Sequence, residues 1–147
     1  PGSGPGSCAS ARPHAPTPPS TAADEAAKRW EQYEPSFKAF AEQDAAKPFP
    51  KGGILFVGSS IFRLWTTVAD QMAPLPVLNR AFGGSRTGDQ LARFAQVVPP
   101  YAPRVIVYYC GSNDLKATPA DAPEVIFGRV REFSQRVRAI LPCSPSR

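Results

Sequence analysis

Three short apolar runs, each closed by a tight polar turn, organise this chain. Ile54–Val57 precedes Gly58-Ser59-Ser60, and Pro76–Asn79 precedes Arg80-Ala81-Phe82-Gly83-Gly84-Ser85. Arg104–Cys110 precedes Gly111-Ser112-Asn113-Asp114. The first run is apolar throughout, as in strands buried on both faces of a parallel sheet. The third, rich in Val, Ile and Tyr, has the strongest strand composition.

Helical spacing fills the intervals. Over Ala22–Asp44, Trp30, Tyr33, Phe37 and Phe40 recur at three- and four-residue steps, giving one aromatic stripe that reads as core-facing. Pro35 splits that helix or starts a second one. The stretch from Lys47 to Gly53 is a breaker segment. Ile61–Met72 is expected to be helical, with Phe62, Trp65 and Val68 on one side. Thr87–Val98 is expected to be a helix whose Thr87 and Gln90 are spaced as a capping box. Pro99 and Pro100 end it. The last helix is expected over Pro119–Leu141 behind Thr118 as cap, with Ile126, Val130, Phe133, Val137 and Ile140 as its buried stripe.

Helices alternating with strands predict an α/β fold with a parallel sheet covered on both faces. Ligands of such sheets bind at the carboxyl ends of the strands. All three polar turns fall there.

Composition bounds the reading. The 147 residues suffice for one modest core, and 42% are hydrophobic. No run approaches the roughly 20 apolar residues of a membrane span. The net charge of +5 lies partly in Arg129, Arg131, Arg136 and Arg138 of the last helix. No aromatic residue is interleaved on that basic face, so it reads as solvated rather than as a nucleic-acid patch. Cys8, Cys110 and Cys143 form no C-x-x-C pair and suggest neither a metal nor a redox motif. Residues 1–22, rich in Pro, Gly, Ser and Ala, read as a disordered leader ahead of a domain over residues 23–141. Compartment is not legible: the chain opens on Pro1, as a processed product or a fragment would.

Each turn has a chemical reading and a plain one. A serine where a strand becomes a helix projects its hydroxyl from the sheet, with its N–H at a helix N-terminus; it can equally be an N-cap. Paired glycines free a backbone N–H to face a site, or make a tight turn. The turn is not a phosphate loop, because Asp89 stands where lysine is required. An Asn amide is a neutral donor to an oxyanion, or the start of an Asx turn.

Taken together and in order, ILFVGSSIFRLW, VLNRAFGG and VIVYYCGSND resemble the first three blocks of the SGNH/GDSL serine esterases, in the platelet-activating-factor-acetylhydrolase-like branch. The resemblance runs from about Trp30 to Leu141. It implies a three-layer, flavodoxin-like sandwich of which about three of five strands are present. It implies Ser60 as nucleophile toward a carboxylic ester. The oxyanion donors would be the N–H groups of Ser60 and Gly84 and the side chain of Asn113. Gly58, Ser59, Gly83, Gly111 and Asp114 would support them. No metal or cofactor is implied, and the partner is a small-molecule ester.

Two departures matter. Ser59 replaces the Asp of the GDS form, which reads as viable. The D-x-x-H block is absent, and the sole histidine is His14. Residues 142–147 look unlike a continuing strand, so the chain reads as C-terminally truncated or as an incomplete gene product, with Val105–Cys110 left as an exposed edge. Without its base it is expected to be inactive. The alternatives are a non-catalytic ester- or glycan-binding relative, or an unrelated α/β module for a nucleotide or protein.

Overall fold

The computed structural model describes residues 28–141. The expected leader, the tail over residues 142–147, His14, Cys8 and Cys143 lie outside them. Two compact units divide at Gln32 and Tyr33. In the first, residues 28–31 are helical.

The second unit holds the sheet. Its elements run α1 (Glu34–Ala46), β1 (Ile54–Gly58), α2 (Ser60–Leu64), α3 (Val68–Gln71), β2 (Val77–Asn79), α4 (Thr87–Ala92), α5 (Phe94–Val97), β3 (Val105–Tyr109), α6 (Ser112–Leu115) and α7 (Pro123–Ile140). The strands are parallel in the order β2-β1-β3. Ile54 is level with both Val77 and Val105. This is the open α/β sheet that the alternation predicts.

Alternate strand residues face opposite layers. Phe56 joins Phe62, Val68, Val77 and Ala81 in one core cluster, with Val107 packed against it. The Phe56 ring lies edge-on to Phe62 at 5.0 Å and to Trp65 at 5.9 Å. On the other face, Tyr108 stacks on Phe133 of α7 at 4.3 Å, and Phe94 meets Phe133 edge-on at 5.3 Å. β1 is buried along nearly its whole length. Among the described residues β3 pairs with β1 alone, and Val105 and Tyr109 at its ends are exposed.

Several expected helices are shorter than their patterns suggest. Ile61–Met72 is two pieces, because Asn79 Nδ2 donates to the Phe62 carbonyl at 2.5 Å and ends α2 there. Pro35 opens α1 rather than interrupting it. Thr87–Val98 breaks at Arg93. The capping box at Thr87 and Gln90 is not formed: the N-cap is Arg86, whose N–H donates to Asp89 Oδ2 at 2.8 Å. Thr87 and Gln90 direct their side chains to Asp114 and to the Gly58 carbonyl instead. α7 begins at Pro123 behind Ala122, not behind Thr118. Of its stripe, Phe133 is buried, Ile126, Val130 and Val137 are half-buried, and Ile140 is exposed.

Phe133 fixes α7 to the sheet. Phe133→Ala should lower unfolding free energy by about 3–5 kcal/mol, measured by urea titration; a loss below about 1 kcal/mol would mean that α7 is not anchored there.

Candidate active site

The three polar turns meet at the carboxyl ends of the strands, and Gly58 is where they join. A Cβ on Gly58 would lie 2.1 Å from the Tyr109 carbonyl oxygen, so only glycine lets β1 and β3 approach here. The Gly58 carbonyl accepts from Phe82 N–H at 3.0 Å and from Gln90 Nε2 at 3.0 Å, while the Ser85 hydroxyl, 3.4 Å away, donates to the Phe82 carbonyl at 2.8 Å. Gln90 Nε2 also reaches Ser85 Oγ at 2.8 Å. These bonds hold the second turn against the first.

The buried Ser59 is the N-cap of α2, and the half-buried Ser60 is its first residue. Ser59 N–H donates to the Tyr109 carbonyl at 3.1 Å. Asn113, at the start of α6, spans all three turns with one amide. Its Nδ2 donates to Ser59 Oγ at 2.6 Å and to the Ser85 carbonyl at 3.0 Å. The amide therefore bridges the residue before Ser60 and the residue after Gly84.

Gly84 is exposed at φ +78°, a conformation that L side chains rarely adopt. Its carbonyl lies 3.2 Å from the Tyr33 hydroxyl, which donates to Asp89 Oδ2 at 2.8 Å. Gly83 lies against the Arg63 guanidinium. Gly111 is the N-cap of α6.

Asp114 is fully buried and holds the third turn to the second. It accepts from Thr87 N–H at 3.0 and 3.1 Å and from Thr87 Oγ1 at 2.5 Å. Arg129 lies 3.3 Å from it, half-buried, and also pairs with Asp121 at 2.6 Å. Arg129, read from sequence as part of a solvated basic face, thus offsets a buried carboxylate. Tyr33, Ser85, Thr87, Gln90 and Arg129 were not legible as parts of this scaffold, because their roles rest on contacts 15 to 56 residues away in the chain. No cluster of three His, Cys, Asp or Glu side chains that could hold a metal occurs among the described residues.

Comparison places this arrangement among known folds. No family model and no curated protein matches the chain. Solved structures do, three among them as follows. A GDSL-like lipase from Bacteroides thetaiotaomicron is 23% identical with a TM-score of 0.61, covering 70% of this chain and 53% of its own. A protein assigned as an acylhydrolase from Bacteroides fragilis is 23% identical with a TM-score of 0.59, covering 69% and 51%. A protein assigned as a platelet activating factor from Streptococcus pneumonia is 20% identical with a TM-score of 0.61, covering 80% and 54%. The fold is thus SGNH/GDSL hydrolase-like. The chain spans about half the length of these structures.

Cys110 follows β3, with its Sγ 3.5 Å from the Ser85 carbonyl. Burial and the nearby Asp114 push its thiol up to about 12 from 9.0, and burial likewise raises the neighbouring Tyr108 hydroxyl. Both groups are held protonated by the fold. The contribution of Cys110 is complete below pH 9 and is lost as the pH climbs toward 12. At pH 8 iodoacetamide should leave Cys110 unmodified in the folded chain and label it in urea, read by peptide mapping. Equal labelling in both states would contradict a buried thiol.

Proposed function

We propose that this is a serine hydrolase fold for carboxylic esters, with Ser60 as the nucleophile. The observation that carries the reading is the Asn113 amide, which joins the turns bearing Ser60 and Gly84. In the reaction the Ser60 oxygen adds to the ester carbonyl, and its proton passes to the leaving alcohol. The tetrahedral oxyanion is held by the N–H groups of Ser60 and Gly84 and by Asn113 Nδ2. Collapse expels the alcohol and leaves an acyl-serine, which water hydrolyses to the acid. Preorganised donors of this kind lower the barrier because they need no reorientation as charge develops. Both hydrogens of the resting Asn113 amide are already engaged. Substrate must therefore take the place of Ser59 Oγ or the Ser85 carbonyl as acceptor.

The proton step lacks its usual agent. Residues 15–147 contain no histidine, and a serine hydroxyl without a base is a poor nucleophile near neutral pH. Loss of the base in a serine protease costs on the order of a millionfold in turnover. The 147 residues are therefore expected to hold an ester without turning it over, which gives the non-catalytic binding reading its support.

A direct test separates site from turnover. The chain should hydrolyse p-nitrophenyl acetate no faster than Ser60→Ala. With added imidazole as base, a fluorophosphonate should modify Ser60, and Asn113→Ala should slow this by at least about tenfold. Modification of Ser59 instead, equal labelling of Ser60→Ala, or an ester rate abolished by His14→Ala would sink the proposal.

A further inference from the structure

A groove runs along the edge of β2 that faces away from β1, between α1 and α3. It consists of two adjoining depressions of about 550 and 590 Å³. They share Ala69, Val77 and Leu78 along their floor, so they form one trough. Phe40 and Trp65 line the end nearer the polar turns, and Phe49 and Leu75 the far end. Arg80 and Gln43 are the polar side chains shared by both depressions, and Arg80 is already paired with Asp44 and bonded to Tyr101. Each depression has the volume of a small-molecule site, and the lining is mainly apolar.

One cation stands at the head of this trough. Arg63 lines the end nearer the turns, is exposed, and has no ion-pair partner among the described residues. Its guanidinium lies against Gly83, next to Gly84, and its Cα is one helical turn from Ser60. An apolar trough ending in an unpaired guanidinium beside the candidate oxyanion loop selects one ligand chemistry. The ligand is a straight aliphatic chain carrying a single carboxylate, with Arg63 supplying a charge-assisted bond to the head.

We propose that the β2-edge groove binds the aliphatic chain of a medium- or long-chain carboxylic acid, headed at Arg63. This rests on the Ser60 reading for its meaning: the groove would receive the acyl half of the ester and retain the acid released from it. The substrate class becomes esters of medium- or long-chain acids rather than acetates. Binding itself requires no catalysis and is tested apart from it.

Trp65 lies in the groove and reports occupancy by its fluorescence. The full chain should be titrated with decanoate, hexanoate, acetate and decanol below their micellar concentrations. Saturable quenching is expected for decanoate and should vanish in Trp65→Phe. Affinity should rise with chain length, up to about fourfold per methylene for full burial. Arg63→Gln should weaken decanoate at least tenfold and leave decanol unchanged. Ala69→Phe, which fills the shared floor from an exposed position, should block both, with circular dichroism showing that the variant folds. Ser60→Ala should bind decanoate as the parent does; if decanoate binds while fluorophosphonate fails to label the parent chain, the groove stands and the catalytic reading falls. No saturable binding, affinity independent of chain length, or binding indifferent to both Arg63→Gln and Ala69→Phe would overturn the proposal. So would an effect of Lys47→Gln at the far end in place of Arg63→Gln, because the head would then point away from Ser60.

Discussion

The close approach of β1 and β3 at Gly58 is the constraint on which the rest of the site depends. β1 is the central strand, so its last peptide lies between the turns that follow both neighbours. The missing side chain lets the Tyr109 carbonyl lie where a Cβ would stand. The Gly58 carbonyl then takes donors from Phe82 and Gln90. Leaving such buried donors without an acceptor would cost on the order of 1–3 kcal/mol each. A side chain at position 58 would therefore disturb more than a local contact, since it would separate the turns that carry Ser60, Gly84 and Asn113.

Around that point the chain commits its buried polar groups to holding the turns in place. Asp114 fixes Thr87, Tyr33 reaches Gly84 and Asp89, and Asn113 ties Ser59 to Ser85. Arg80 performs the same service at the start of the second turn. It is almost fully buried, pairs with Asp44 of α1, bonds to the Tyr101 hydroxyl and lies over the Phe40 and Tyr101 rings. A buried guanidinium is tolerated where its charge and its N–H groups are both matched. Together these contacts make α1 and the second turn one rigid piece, which is what a preorganised site requires.

The strands, their order along the chain and the position of the polar turns were legible in the sequence. Apolar runs of about five residues flanked by Gly, Ser and Asn leave few alternatives to buried parallel strands. Helix boundaries were not legible, for a specific reason. Thr87 and Gln90 have the spacing of a capping box, and nothing local reveals that Asp114 and Gly58 claim their side chains instead. Asn79 likewise looks like the end of a strand, yet its amide stops α2 by taking the Phe62 carbonyl. The exposed ends of β3 agree with the expected edge. The electrostatic partner of Asp114 was hidden because Arg129 sits among four arginines that look alike in sequence.

The central claim is that Ser60, Gly84 and Asn113 serve one oxyanion. It is tested most directly by following the Gly84 amide and the Asn113 side-chain amide by nitrogen–proton NMR while an alkylboronic acid is added. A boronate bonded to a serine oxygen presents a tetrahedral, negatively charged centre. The account predicts that both resonances move together as the adduct forms, and that neither moves in Ser60→Ala. Unchanged resonances in the parent chain, or shifts that persist in Ser60→Ala, would contradict it.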